Sequence, residues 1–351
     1  MKPALVRCVR LGVIALLIAG MLAYARRIPW TPAVATMRHA APELLVLALC
    51  FHFVALTGKA GIWWTFLKPL GGPRFRTVAR GTLMGATLNS LFVGSSGEAG
   101  RVLLMSRLTG ISSASVLATV VLERAVDLCG FLTLLAGAAF LFPAARALVV
   151  GAAAVLVVVI AVVTVLRARS RRGARCVPSS VTSSSFVRRS RSYIQRVFLS
   201  TRTIATRRRL AIALALTLVD WCSELASYSI VARAAHFPIG VSGSLLALLA
   251  VNVGFLVRVT PGNVGVFELV YAAVAHSLGF STDIAIGVAL MLHLAQDVPT
   301  ALLGLTLGMR FFAPMRTGAV CARGVPSVPQ PLIAIPTSTA SQTEPARGAL
   351  P

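Results

Sequence analysis

Most of the carboxylates in this sequence lie in apolar surroundings. The chain has 351 residues and only ten Asp and Glu residues. Seven of them fall within or at the edges of apolar segments, namely Glu98, Glu123, Asp127, Asp220, Glu224, Glu268 and Asp297. A charge inside a lipid bilayer is costly unless it is paired or faces water. If these segments cross a membrane, the carboxylates predict ion pairs or a polar cavity within it.

The sequence LERAVDL, Leu122–Leu128, concentrates three of the charges. Glu123, Arg124 and Asp127 lie on adjoining faces of a helix, and the i,i+3 spacing lets Arg124 pair with Asp127. Two interpretations are open at this point. The residues could staple one helix to another, or they could form a polar wall for a transported head group.

A second cluster places two like charges on one helix face. Asp220 and Glu224 in DWCSEL are four residues apart and therefore lie above one another. Two carboxylates this close predict either that one is protonated or that a cation lies nearby. Arg258 and Arg233 are the candidate cations.

Neither a metal site nor a cofactor site is predicted. His293 and Asp297 are four residues apart, but no further ligand cluster accompanies them, so the spacing predicts a hydrogen-bonded pair. The six cysteines show no CxxC spacing and are interpreted as small apolar residues: Cys8, Cys50, Cys129, Cys176, Cys222 and Cys321.

Two glycine-containing breaks end two short apolar runs. The run Gly81–Val93 ends in VGSSGE, and the run Ser244–Val257 is followed by PGNVGVFE. Each break contains G-x-x-G, and the two copies are offset by 168 residues (262 − 94 and 265 − 97). Unwound backbone at membrane depth persists only when it is buried in protein or lines a wet cavity. The breaks therefore predict such a cavity.

The helices that restart after the breaks suggest what the cavity could hold. A helix N-terminus offers free N–H groups and a positive dipole end, which favour a phosphate or carboxylate. Arg101 and Arg258 could add charge-assisted hydrogen bonds. In the alternative interpretation, Glu98 and Glu268 cap these N-termini and the breaks are structural.

The composition identifies the surroundings as a membrane. Hydrophobic residues make up 57% of the chain, charged residues 13%, and the mean hydropathy is +0.83. These values predict an all-α, polytopic membrane protein with about 6–8 membrane segments, two of them broken or re-entrant. Apolar runs of crossing or near-crossing length are Leu11–Ala25, Leu44–Leu56, Ser115–Phe142, Ala144–Leu166, Leu210–Val231 and Ile284–Gly308.

The positive charge predicts orientation. The net charge is +24, and the loop Arg167–Arg209 contains thirteen Arg residues. No basic stretch interleaves aromatic residues, so nucleic acid is not a predicted partner. The positive-inside rule places this loop, and with it both termini, in the cytoplasm. Gly81–Val93 and Ser244–Val257 are then re-entrant; eight full crossings are the alternative.

The organisation predicted from these features is an inverted repeat. An odd number of crossings, three, separates the two breaks, so a duplication would be inverted across the membrane. The predicted domains are an N-terminal membrane repeat (1–166) that begins with an uncleaved helix, an Arg-rich cytoplasmic loop (167–209), a C-terminal membrane repeat (210–311) and a disordered Pro/Ser/Thr-rich tail (312–351).

Together these motifs resemble the flippase-like membrane family that includes the transmembrane region of lysylphosphatidylglycerol synthases, also known as UPF0104. Matching residues are Gly94, Gly97, Glu98 and Arg101 in the first break, Glu123, Arg124 and Asp127 in the E-R-x-x-D helix, and Pro261, Gly262, Gly265 and Glu268 in the second break. The first break departs from the family pattern, since Val93 stands where the family usually has Pro.

The resemblance implies a protein that moves a lipid of phospholipid, hopanoid or glycolipid type between leaflets. The expected partners are anionic or amphipathic membrane lipids, and a lipid-biosynthesis enzyme is a further candidate. No enzymatic activity is expected, because the family's lysyl-transfer chemistry belongs to a separate soluble domain; for an intramembrane enzyme, Glu123 with Asp127 is the one plausible acid pair. The other alternative is a non-transporting accessory subunit for an envelope-biosynthesis enzyme.

The predicted head-group cavity joins both breaks and the charged helix. Its residues are Gly94, Gly97, Glu98, Arg101, Glu123, Arg124, Asp127, Arg258, Pro261, Gly262, Gly265 and Glu268.

Overall fold

A computed structural model of the chain describes residues 30–92, 96–141, 201, 204–255 and 260–312. Within these ranges the protein is helical and contains no strand. The helices are α1 (Trp30–Arg38), α2 (Pro42–Gly71), α3 (Phe75–Leu91), α4 (Ser96–Thr109), α5 (Ser113–Leu141), α6 (Arg207–Ala234), α7 (Gly240–Gly254), a 3₁₀ turn (Pro261–Asn263), α8 (Val266–Ser277) and α9 (Thr282–Phe312).

Three of the described helices are long and apolar enough to cross a membrane: Pro42–Gly71, Arg207–Ala234 and Thr282–Leu307. Helix α5 has 29 residues but carries the charged cluster near its middle. Large apolar side chains are exposed on the outer faces, for example Val46, Leu103, Leu269 and Leu302. Such side chains suit a lipid environment, and the predicted polytopic α-helical membrane protein is confirmed.

Several predicted regions lie outside the described residues. They include the apolar runs Leu11–Ala25 and Ala144–Leu166, most of the Arg-rich loop and all but the first residue of the 312–351 tail. The described helices, apart from the last residue of α9, belong to a compact unit that ends at Phe311. The domain boundaries and the cytoplasmic orientation stay predictions.

Helix lengths repeat along the chain. Helices α2 to α5 have 30, 17, 14 and 29 residues, and α6 to α9 have 28, 15, 12 and 31. The two leading helices, α2 and α6, pack antiparallel: the Ala41 N–H donates to the Ala234 carbonyl at 2.9 Å, and Gly61 faces Leu216 at the other end. Corresponding helices that run in opposite directions support the predicted inverted repeat.

The short helices form two hairpins. Helix α3, at 17 residues, is about 25 Å long, which is less than the thickness of a bilayer core. It packs antiparallel on α4, where Gly85 lies against Gly97, while Gly254 of α7 faces Val270 of α8. Both breaks therefore lie at hairpin tips, as expected of re-entrant segments. Residues 91–97, at the junction of α3 and α4, are called the first tip, and residues 260–265 are called the second tip.

Each hairpin packs against its own half of the protein. One buried cluster contains Trp63, Leu67, Val78, Met105 and Val116 from α2 to α5. The largest cluster draws mainly on α6 to α9. In the second half, Tyr228, Phe267 and Tyr271 form a group of neighbouring aromatic rings. This packing fixes the two tips relative to the long helices.

Candidate functional site

A cavity of about 280 Å³ lies where the two hairpin tips approach each other. Its lining includes Ser90 beside the first tip and Gly262 in the second tip. The two are in close contact, because a Cβ on Gly262 would lie 3.0 Å from the Ser90 carbonyl oxygen. Helices from both halves of the protein contribute to the wall, so the cavity depends on the packing of one half against the other.

The first tip places an ion-pair network on the cavity wall. Glu98, in the first turn of α4, pairs with Arg124 of α5. Arg124 Nη1 also donates to Asp127 Oδ2 at 3.4 Å, which confirms the predicted i,i+3 pair. The Arg124 side chain is 46% exposed and those of Glu98 and Asp127 are 26% exposed. These groups both join two helices and remain accessible from the cavity.

Beside this network lies a buried ion pair. Arg101 donates to both carboxylate oxygens of Glu123, at 3.0 and 2.8 Å. The guanidinium carbon lies 4.7 Å from the centre of the Trp63 ring. The two charged side chains are 6% and 8% exposed. Arg101 lines the cavity, but its charge is neutralised by Glu123, which leaves Arg124 as the more accessible guanidinium.

The N-terminus of α4 differs from the alternative interpretation, in which Glu98 would cap it. The Gly97 N–H donates to Asn89 Oδ1 at 2.9 Å, and Glu98 turns to Arg124. A Cβ on Gly97 would overlap the carbonyl oxygen of Gly85. Glycine is therefore required here for close approach of α3 and α4.

The second tip contains three residues with positive φ angles. Gly262, Asn263 and Gly265 have φ angles of 60°, 57° and 91°. The Gly265 N–H donates to Glu268 Oε2 at 2.6 Å, which confirms the cap considered for Glu268. Glu268 is only 1% exposed and is not part of the cavity lining. Pro261 begins the 3₁₀ turn, whereas Gly94 and Arg258 lie outside the described residues.

His293 of α9 holds this tip from the other side. Its Nδ1 lies 2.8 Å from Glu268 Oε1, and its Nε2 lies 3.0 Å from the Gly262 carbonyl oxygen and 3.2 Å from Asp297 Oδ2. The ring stacks on Phe267 at 4.7 Å between centroids. The predicted His293–Asp297 pair is confirmed, while the bond to Glu268 was not predicted.

Asp220 and Glu224 have partners on α2, the helix that packs along α6. Lys59 lies 3.8 Å from Asp220, and His52 Nδ1 lies 3.5 Å from Glu224. Of the two predicted cations, Arg233 is not among these partners, and the prediction for Arg258 lies outside the described residues. Gln296 of α9 adds a hydrogen bond to Glu224 at 3.2 Å.

Several cavity residues were missing from the predicted site. They are His52, Lys59, Asp220, Glu224, Asn263, His293, Gln296 and Asp297. Their signal in the sequence was the presence of ionisable or amide side chains in apolar helices. That signal marks a residue as polar and buried but does not say which cavity it faces.

Among the described residues of the lining, carboxylates outnumber cations. Six carboxylates are present, from Glu98, Glu123, Asp127, Asp220, Glu224 and Asp297, against three Lys and Arg side chains, Lys59, Arg101 and Arg124. The formal charge of these described side chains is thus 3 − 6 = −3 with His52 and His293 neutral. With both histidines protonated it is −1, so the described part of the lining carries no excess of positive charge in either case.

Unpartnered polar atoms also line the cavity. Within the described part of the chain, Thr82 Oγ1, Arg101 Nε, Trp221 Nε1 and Asn263 Oδ1 are buried without a hydrogen-bond partner. Buried polar groups in native proteins are nearly always hydrogen-bonded, so these atoms call for water or a ligand. They offer both donors and acceptors. The same residue ranges contain no group of three or more His, Cys, Asp or Glu side chains arranged to hold a metal ion.

Comparison with protein families shows which family the chain matches. The family model described as the lysylphosphatidylglycerol synthase TM region matches residues 8–304. Both tips and the charged helix α5 lie within this match. No curated protein matches the chain.

Proposed function

The chain belongs to the lysylphosphatidylglycerol synthase transmembrane-region family, and on that premise we propose that it binds a lipid head group between its hairpin tips and passes the lipid between leaflets. It is a membrane protein, as the resemblance of its motifs to this family indicated, and we place it in the bacterial inner membrane. The proposal assigns it transport and no catalytic activity of its own.

The observation that carries this proposal is a polar cavity shared by two inverted halves. Both tips border it, and its wall holds charged and unpartnered polar side chains inside helices with lipid-facing outer surfaces. A volume of about 280 Å³ lies just below the typical range of ligand pockets, which is about 300–1,000 Å³. Such a cavity suits a head group, while the acyl chains remain against the outer faces of the helices.

The arrangement of the tips supports alternating access. Inverted hairpins that meet near a central site can each close the cavity toward one side of the membrane. Gly262 and Ser90 form the contact between the tips. Separation of this contact would open a path for the head group, and its return would close the path.

The lining charge refines the expected head group. With carboxylates in excess, a purely anionic head group gains little from the accessible Arg124 and is repelled by Asp127 and Glu98. A zwitterionic or otherwise amphipathic head group meets both signs of charge. Among the lipids first expected, the amphipathic class therefore fits the cavity better than the anionic class.

The test uses the full-length protein in liposomes that contain photoactivatable phosphatidylethanolamine or photoactivatable phosphatidylglycerol. Crosslinks are mapped by mass spectrometry, and transbilayer movement is followed with labelled lipid. We expect crosslinks at α3, α5 and the second tip, stronger for phosphatidylethanolamine. Arg124→Gln should weaken them, whereas Arg107→Gln, on an exposed position of α4, should not.

The outcomes separate the candidate functions. Crosslinks and lipid movement that are both lost in Arg124→Gln support transport. Specific crosslinks without lipid movement favour the non-transporting accessory subunit. Crosslinks that avoid the cavity in the wild-type protein overturn the proposed site.

A further inference from the structure

The hydrogen bonds of His293 fix the position of one hydrogen atom. The Gly262 carbonyl oxygen, 3.0 Å from Nε2, can only accept a hydrogen bond. Nε2 must therefore carry a hydrogen. Asp297 Oδ2, at 3.2 Å from the same nitrogen, is a second acceptor for it.

The other ring nitrogen requires a further hydrogen. Nδ1 lies 2.8 Å from Glu268 Oε1, a distance at which a nitrogen lone pair and a carboxylate oxygen repel unless a hydrogen lies between them. The pair is then either an imidazolium with a carboxylate or a neutral imidazole with a carboxylic acid. Both forms hold one proton more than a neutral imidazole beside a carboxylate.

This proton is connected directly to the backbone of the second tip. Glu268 uses its remaining oxygen, Oε2, to accept the Gly265 N–H at 2.6 Å. His293 holds the Gly262 carbonyl. The pair thus binds the backbone of both glycines of the tip. The φ angles of these glycines, 60° and 91°, and that of Asn263, 57°, are all positive. A non-glycine residue with a positive φ angle adopts it at some conformational cost.

The groups around His293 come from several elements. Glu268 approaches from α8, Asp297 lies on α9 itself, Gly262 belongs to the tip, and Phe267 covers one face of the ring. The same cavity presents further charged or titratable side chains: His52 and Lys59 from α2, Glu98 and Arg101 from α4, Glu123, Arg124 and Asp127 from α5, and Asp220, Glu224 and Tyr228 from α6.

The first tip provides the contrast. Glu98 corresponds to Glu268 (268 − 98 = 170), Arg124 to His293 (293 − 124 = 169), and Asp127 to Asp297 (297 − 127 = 170). A guanidinium stays charged at all physiological pH values, whereas an imidazole gains and loses a proton near neutrality. The corresponding position is therefore fixed in one tip and titratable in the other.

We propose that the second tip is held by a proton-binding site between His293 Nδ1 and Glu268 Oε1, and that the bound proton keeps the tip in its closed conformation. Release of the proton leaves the lone pair of His293 Nδ1 facing Glu268 Oε1. The two groups then repel each other, and their hydrogen bonds to Gly262 and Gly265 weaken. On the proposed transport function, which this step depends on, opening of the tip couples passage of the lipid to movement of a proton.

The experiment measures hydrogen–deuterium exchange of the full-length protein in liposomes, normalised to intrinsic exchange rates. The range runs from about pH 5 to about pH 11, because two neighbouring carboxylates favour the protonated form of the imidazole. Peptides that cover residues 260–266 report on the second tip, and peptides that cover residues 91–97 report on the first. If one proton links closure to pH, exchange of the second tip should rise about tenfold per pH unit on the alkaline side of its midpoint. Exchange of the first tip should stay constant.

Two matched variants test the mechanism. In Glu268→Gln the side-chain amide donates permanently to Nδ1 while its oxygen still accepts from Gly265, so the variant imitates the bound proton. Its second tip should stay protected across the pH range. Glu98→Gln changes the corresponding residue beside the first tip. In this variant, exchange of the second tip should depend on pH as it does in the wild type.

Each outcome decides the proposal. A second tip with pH-independent exchange in the wild type, or a Glu268→Gln variant that retains the wild-type pH dependence or exchanges freely at every pH, overturns the proton site. Lipid movement is measured in the same liposomes. If the wild-type protein moves no lipid but exchange of its second tip depends on pH as expected, the transport function alone is contradicted. If it moves lipid but exchange of its second tip does not depend on pH, the proton site alone is contradicted.

Discussion

The same order of contacts, with different chemistry, lies beside each hairpin tip. In each, a carboxylate just after the break binds a cationic or ionisable group on a later helix, and that group also binds an Asp about one turn further on. The central group is Arg124 beside the first tip and His293 beside the second. Arg124 is 46% exposed, whereas His293 is 8% exposed. The two sets of contacts follow the same order along the sequence, while the central group differs.

The carboxylates themselves also differ in use. Glu98 faces the cavity, because Asn89 satisfies the backbone N–H of Gly97. Glu268 is buried behind the cavity, where it caps Gly265 and binds His293. The difference indicates that the first tip is suited to contact a ligand and the second to control its own conformation.

The largest expected effect is on the free energy of unfolding, and it should differ between the glycines of the two tips. Gly97→Ala forces a methyl group into the Gly85 carbonyl, and we expect a loss of more than about 4 kcal/mol in the free energy of unfolding. Gly265→Ala mainly strains a backbone at φ 91°, at a cost of about 1–3 kcal/mol. Unfolding in mixed micelles measures both.

The control for this pair is Gly137→Ala, since a Cβ there meets nothing within 4 Å. It should change stability by less than about 1 kcal/mol. Equal losses for Gly97→Ala and Gly137→Ala would show that α3 and α4 do not approach as closely as described.

The next effect concerns the anchor of each hairpin. Arg101→Met leaves Glu123 charged and buried, so we expect a loss of about 3–5 kcal/mol. The matching position in the second hairpin is Tyr271 (101 + 170), which is buried and has no hydrogen-bond partner for its hydroxyl among the described residues. Tyr271→Phe should leave stability unchanged or raise it.

The double variant Arg101→Met with Glu123→Leu sharpens this prediction. Removing both charges should recover most of the loss, because the unpaired carboxylate is then absent. The measurement compares the thermal unfolding midpoints of Arg101→Met, Tyr271→Phe and the double variant. A double variant as unstable as Arg101→Met would mean that the pair contributes through packing.

A smaller effect compares the two tip carboxylates directly. Glu268→Ala removes a backbone cap and the partner of His293, and should cost about 1–3 kcal/mol. Glu98→Ala removes a partly exposed ion pair, and should cost about 1 kcal/mol or less. Equilibrium unfolding in the same detergent gives both values, and the opposite order would reverse the roles assigned to the tips.

The smallest effect on stability belongs to Arg124→Gln. Its ion pairs are accessible to solvent, so we expect a loss of about 0–1 kcal/mol, although lipid crosslinking should fall strongly. Arg107→Gln provides the matched control for both measurements. A large loss of stability without loss of crosslinking would assign Arg124 to structure instead of to the cavity wall.

Local sequence patterns predicted much of this architecture. Apolar runs and rare charges identified the helical membrane protein, and the glycine motifs located both breaks. The i,i+3 and i,i+4 spacings predicted the Arg124–Asp127 and His293–Asp297 pairs, because side chains at these spacings meet on one helix whatever surrounds it. The breaks and the E-R-x-x-D helix together were specific enough to identify the family.

Contacts between helices were decided only by the tertiary structure. Arg101 binds Glu123, Glu268 binds His293, and Lys59 lies beside Asp220. The members of each pair lie on different helices, so their spacing in the chain carries no information about distance. Helix packing brings them together, and the low dielectric of the interior makes each pairing energetically important once it has formed. The sequence by itself thus determined which residues needed a polar partner, and the packing of the two halves decided which partner each received.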